Sequence, residues 1–174
     1  MHRAACAREA NGVIPYFAYG TTQQGFPHHR ELYELLGEPV GRFRTVEPYA
    51  IVVPHEAACS NPGCRFVHRM AALVPFEGDL HAEGDVFLVS DETLAALDRL
   101  ELSGPYTRET IDVGEYAAQA YPVREPNRWI ELVRRGRADA LAQFPRELAN
   151  VNTLKPCCEA SPEHPPPHDV VEPG

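Results

Sequence analysis

The chain has 174 residues, 44% of them hydrophobic, and carries 25 acidic against 16 basic side chains for a formal net charge of −9. That length suits one domain with a real core, and the acidic balance disfavours nucleic acid as a partner. No stretch reaches the roughly 18 apolar residues of a membrane-spanning helix, and the charged N-terminus, Met1-His2-Arg3, lacks an apolar secretory core; a cytoplasmic protein away from membranes is expected.

Residues 1–12 read as a loose leader. From Val13 an apolar, aromatic run, Val-Ile-Pro-Tyr-Phe-Ala-Tyr19, ends abruptly at Gly20-Thr21-Thr22-Gln23-Gln24-Gly25. This is the pattern of a buried strand entering a tight loop. Gly20 has no Cβ, so the backbone there can turn sharply and a ligand can come close. The amides of Thr21, Thr22 and Gln23 are then candidates to face an anion such as a carboxylate. An ordinary strand and turn fits the same residues. His28 and His29 read as loop residues at the mouth of any pocket. From Pro54 to Arg69 the chain carries Cys59-Ser60-Asn61-Pro62-Gly63-Cys64, with His68 beyond. Together with Cys157-Cys158 these thiols suit a structural zinc, but equally free thiols or a disulfide formed on oxidation.

Residues Glu83 to Ser90 read as a second strand ending at a cap, followed by a helix over Asp91 to Glu101. Leu94, Leu97 and Glu101 share one helical face, so Glu101 closes a stripe that otherwise looks into the core. Partial desolvation and the helix C-terminus both disfavour its charge. A raised pKa suits a general acid/base. The alternative is a frayed helix end with Glu101 in water or paired with Arg108. A short strand is expected over 118–123, and a helix from the Pro126 region through Trp129 to near Gly136. Arg134-Arg135-Gly136-Arg137 is expected as a solvated face of that helix. A further helix is expected over 138–148. Residues 13–155 form the expected domain, and the proline-rich tail 156–174 is expected to stay unfolded.

Together these segments resemble the γ-glutamylcyclotransferase-like (AIG2-like) family. Its Tyr-Gly-Ser/Thr motif matches Tyr19-Gly20-Thr21, and Gly25 and His29 follow in place. Where the family has Gly-x-hydrophobic-Tyr, this chain continues with Gly84-Asp85-Val86-Phe87. Its Leu-Asp-x-x-Glu helix matches Leu97-Asp98-Arg99-Leu100-Glu101, and Tyr106-Thr107-Arg108 follows where the family has Tyr-x-x-Arg. The match spans roughly residues 13 to 125. Thr22 stands where the family has leucine, Gln23 and Gln24 where basic residues are common, and His28 where asparagine is usual.

The resemblance implies an α+β fold, a small mixed β-barrel or curved sheet with flanking helices. It also implies intramolecular acyl transfer in a small-molecule γ-glutamyl substrate, whose α-amino group closes on its own γ-carbonyl to give 5-oxoproline and a free amine. Glu101 would carry the protons, the loop from Tyr19 through Gly20, Thr21 and Thr22 would hold the α-carboxylate, and Tyr121 would hydrogen-bond the glutamyl group. No metal or other cofactor is implied. The acidic surface favours a cationic leaving group. Two other readings stay open: a non-catalytic small-molecule binding module on the same fold, and a thiol hydrolase built on Cys59 or Cys64 with His68.

Overall fold

The computed structural model describes residues 12–55 and 71–146. The leader up to residue 11, the cysteine turn with Cys59, Cys64 and His68, and the tail with Cys157 and Cys158 lie outside the described residues. Strand β1 (Val13–Ala18) is the centre of a five-stranded sheet. It pairs antiparallel with β5 (Glu83–Ser90) over its whole length and parallel with β7 (Ala117–Ala120) at the single register point Tyr16↔Gln119. Pro15 cannot donate to a ladder, and it lies where β7 pairing has already stopped. On the outer edges β2 (Gly41–Arg44) joins β5 and β6 (Glu109–Asp112) joins β7, both antiparallel.

A second sheet has β3 (Tyr49–Pro54) between β4 (Ala72–Pro75) and β8 (Ala138–Leu141). Tyr-Ala-Ile-Val-Val-Pro is apolar on both faces because both are covered. Ile51 and Val53 join Phe17, Leu73, Val86, Ile111 and Phe144 in the core between the sheets, whereas Ala50 and Val52 face α4 (Pro126–Arg134) through Trp129, Ile130 and Val133. Backbone bonds stitch the sheets at their flanks, Glu83 N to Ala142 O at 2.6 Å and Val123 N to Leu73 O at 3.2 Å. The expected α+β fold with a curled sheet and few helices is the one that forms.

The helix expected over 138–148 does not form in its described part, residues 138–146. Arg134 ends α4, Gly136 takes a left-handed φ of 65°, and the chain enters β8 at Ala138. Ala-Asp-Ala-Leu has good helix formers, but the open side of β3 offers a ladder from Ile51↔Leu141 to Pro54↔Ala138. Pairing with a buried strand outweighs an intrinsic preference of a few tenths of a kcal/mol per residue. Arg134, Arg135 and Arg137 are exposed, as a solvated face requires, although the helix stops before the run ends. The short strand expected over 118–123 closes earlier, at Ala120, and Val123 instead makes a lone bridge to Tyr106.

Helix α3 (Asp91–Glu101) has the expected bounds. Ser90 caps it by accepting from Thr93 N at 3.1 Å, and Asp91 and Glu92 sit in its first turn, where the dipole favours negative charge. Leu94 and Leu97 are buried against Tyr16, Phe87, Val89 and Tyr121 on the face of the five-stranded sheet opposite the inter-sheet core. Gly84 is required by β5. A Cβ there would lie 2.8 Å from the Phe17 ring and closer still to the carbonyl of Ala18, so no larger residue fits beside the end of β1.

Candidate active site

The end of β1, the loop after it and the end of α3 converge. Tyr19 is buried and its hydroxyl donates to the carbonyl of Tyr121 at 2.6 Å. Tyr16 and Thr22 join hydroxyls at 3.1 Å, and the Tyr16 ring stands edge-on to Tyr121 at 6.0 Å. Tyr106 donates to the carbonyl of Ala71 at 3.0 Å. A buried tyrosine hydroxyl must find a partner, and each of these has found one within the protein.

The loop itself is held from inside. Gln23, only 2% exposed, donates its side-chain amide to the carbonyls of Tyr19 at 2.7 Å and Gly20 at 3.1 Å. Buried Asp85 of β5 accepts from Gln24 N at 2.7 Å. Helix α1 (Pro27–Glu31) follows at once, and His28 in it meets the Thr21 hydroxyl at 2.6 Å. His28 and His29 are therefore helical, and His29 is buried against Phe87 and bonded to the carbonyl of Gly37. Of the three amides singled out in the sequence, that of Gln23 closes a turn onto the carbonyl of Gly20 at 3.2 Å. The amides of Thr21 and Thr22 have no partner among the described residues. Gly20 does not turn through a left-handed φ; Gly25 does, at 86°. What Gly20 permits is close approach, since a Cβ on it would lie 3.3 Å from that of Ala71.

Glu101 lies at the end of α3 with its carboxylate toward this cluster. Burial pushes its pKa from the ordinary 4.5 up to about 7. Tyr16, Tyr19 and Tyr106 are near enough to feel its charge; burial first, and then Glu101 among their neighbours, drives all three phenols upward, so they stay neutral. The backbone carbonyl of Glu101 accepts from Gly104 N at 3.0 Å, but its carboxylate has no hydrogen bond or ion pair to any described residue. Arg108 pairs with Asp98 at 2.7 Å instead, which removes the expected alternative of a Glu101–Arg108 pair. Tyr121 is buried, and its hydroxyl donates to the other oxygen of Asp98 at 2.9 Å.

Five side chains have a part here that the sequence reading did not assign to them: those of Tyr16, Gln23, Asp85, Asp98 and Tyr106. Asp98 is one turn before Glu101 on α3, a spacing that could have marked it. Asp85 and Tyr106 are tied to partners through the tertiary fold, whereas Gln23 and Tyr16 bond to groups of the loop that follows β1.

The family model described as gamma-glutamyl cyclotransferase, AIG2-like, matches residues 16–138. The chain belongs to the AIG2-like γ-glutamyl cyclotransferase family. A Vibrio cholerae protein named "putative gamma-glutamylcyclotransferase" is 31% identical over 121 residues, covering 69% of this chain and 90% of that one. A mouse AIG2-like protein has the same fold, with a TM-score of 0.57 at 20% identity over 79% of this chain and 91% of its own. An allophanate hydrolase of Kluyveromyces lactis also carries the fold, with a TM-score of 0.56 at 14% identity over 81% of this chain but only 22% of the larger enzyme.

Among the described residues no group of three or more His, Cys, Asp or Glu side chains is placed to hold a metal ion. No described helix is long and apolar enough to cross a membrane. The zinc set and the thiol hydrolase pair expected as alternatives fall outside the described residues.

Proposed function

We propose that this chain is a γ-glutamyl cyclotransferase that releases 5-oxoproline and a free amine from a γ-glutamyl amine, amino acid or conjugate. The observation that carries the reading is the partly desolvated Glu101 carboxylate, which has no hydrogen-bond or ion-pair partner among the described residues and lies near Tyr16 and Tyr19 at the entry to the loop. A carboxylate with a pKa near 7 is matched to taking and returning a proton at neutral pH.

The substrate α-carboxylate sits on the Thr21 and Thr22 amides. Its α-ammonium then faces Glu101, which takes a proton and frees the nitrogen lone pair. That nitrogen attacks the γ-carbonyl carbon, and the new C–N bond closes a five-membered ring. Proximity is built into the substrate, so the enzyme's task is to fold it and manage protons. The tetrahedral intermediate collapses with loss of the old C–N bond. Across the reaction the α-nitrogen gives up two protons and the departing amine gains two, and Glu101 ends as it began. Tyr121 uses its hydroxyl hydrogen on Asp98, so toward the glutamyl group it can only accept.

The test is 5-oxoproline release from γ-glutamyl amino acids, γ-glutamyl amines and glutathione, by wild type and Glu101→Gln. Wild-type release that vanishes in a folded Glu101→Gln protein is expected. Equal release by both removes Glu101 from the chemistry. Silence across the panel with retained 5-oxoproline binding favours the binding module.

A further inference from the structure

Asp98 makes no contact with the reacting groups in the scheme above, yet three parts of the site lead back to it. One oxygen accepts from Tyr121 at 2.9 Å and the other from Arg108 at 2.7 Å. Tyr121 is only 2% exposed. Its carbonyl takes the Tyr19 hydroxyl, and its ring packs edge-on against Tyr16. Tyr19 leads directly into the substrate loop, and Tyr16 binds Thr22 in that loop. One carboxylate therefore links α3, the strand after β6 and the carboxylate-binding loop. The same carboxylate engages Arg108, the cation that the sequence put forward as a partner for Glu101.

We propose that Asp98 is a positioning residue for the cyclotransfer. It orients the Tyr121 hydroxyl and, through Tyr121, the tyrosine walls of the site, and it engages Arg108 so that Glu101 is left for the substrate. This rests on the cyclotransferase reading. The direction of the Tyr121 bond is decisive. With its hydrogen given to Asp98, Tyr121 presents only lone pairs to the substrate, which suits an ammonium or a leaving-group N–H rather than a carbonyl. Arg108 supplies the countercharge that keeps a partly buried carboxylate satisfied.

The experiment measures kcat and KM for 5-oxoproline release by the full chain, with thermal midpoints alongside. The variants are Asp98→Ala, Asp98→Asn, Tyr121→Phe and the double Asp98→Ala/Tyr121→Phe. Asp98→Ala is expected to lose roughly 10- to 100-fold in kcat/KM, the size of a hydrogen bond to a charged group. The double variant should be no worse than the poorer single one, because both act through the same bond. Asp98→Asn should recover most of the activity, since its side-chain carbonyl still accepts from Tyr121. Losses that multiply in the double variant overturn the proposal, as does an Asp98→Asn as inactive as Asp98→Ala. Should Asp98→Ala fail to fold, Tyr121→Phe decides: it leaves no cavity, and full activity in it overturns the proposal. A silent wild type sinks the cyclotransferase reading and this proposal together. An active wild type whose kcat/KM ignores Asp98 sinks this one alone.

Discussion

Replacing Glu101 with glutamine should stabilise the protein, and should do so only at the alkaline side of a defined pH window. Burial raises the Glu101 pKa from 4.5 to about 7, so between those values the folded chain holds a proton that the unfolded chain has lost. The native state then binds more protons than the unfolded state, and stability falls as pH rises through the window. Below pH 4.5 both states are protonated and Glu101 costs nothing. Above pH 7 both are charged, and the full gap applies, about 3 kcal/mol at about 1.4 kcal/mol per pH unit. Glutamine has the same shape and no charge, so it escapes the whole term. Its buried amide carries some fixed cost of its own, which does not change with pH. The informative quantity is therefore the difference between variant and wild type as pH changes, in which the other carboxylates cancel. Between pH 5 and pH 8 that difference should move by ~2.5 kcal/mol in favour of Glu101→Gln. Urea unfolding at the two pH values reads it as a relative midpoint shift of ~1 M for a chain of this size. A difference that stays flat from pH 5 to pH 8 would falsify the desolvation argument, because it would mean that Glu101 is hydrated and ordinary.

The same carboxylate sets the rate profile: kcat/KM should rise tenfold per pH unit below about 7 and level off above it, because the free enzyme must have Glu101 deprotonated to accept a proton. A plateau reached already at pH 5 would point to a different base. Gly84→Ala should cost about 3 kcal/mol or more through overpacking against Phe17 and the Ala18 carbonyl, read as a lowered urea midpoint; a midpoint within error of wild type would mean that β1 and β5 have room to part. For a γ-glutamyl polyamine, KM should rise between 0.05 and 0.5 M salt while KM for a neutral leaving group holds still, given a net charge of −9. Parallel salt curves would remove surface charge from substrate choice.

What the sequence disclosed follows the range of the forces involved. The strand from Glu83, its cap at Ser90 and the helix to Glu101 are written locally, in alternation, a capping side chain and an i, i+3, i+7 stripe, and they fold within those bounds. Residues 138–148 show the opposite case: local preference pointed to a helix, and a strand 84 residues earlier in sequence decided otherwise by offering its edge at Pro54 to Ala138. The site divides in the same way. Glu101 stood out because a carboxylate closing an apolar stripe is anomalous by itself. The bond from Tyr19 to Tyr121 and the bonds from Tyr121 and Arg108 to Asp98 join residues 102, 23 and 10 positions apart. No periodicity encodes such distances.

A carboxylate at a helix C-terminus gains nothing from the dipole, and one inside an apolar cluster loses its water. Such a group persists either when a cation compensates it or when its neighbours cannot. Around Glu101 the second condition holds among the described residues. Three tyrosine hydroxyls adjoin it, and their hydrogen-bond partners are Thr22, the Tyr121 carbonyl and the Ala71 carbonyl. The arginine that follows α3 binds Asp98. Releasing any of these groups toward Glu101 would stabilise its charged form and draw its pKa back toward 4.5. The protein would gain stability at neutral pH and lose a base matched to that pH. A carboxylate left unpaired among the described residues at such a cost is therefore better explained by the proposed proton transfer than by packing, and under that proposal the neighbours' hydrogen bonds matter as much as Glu101 itself.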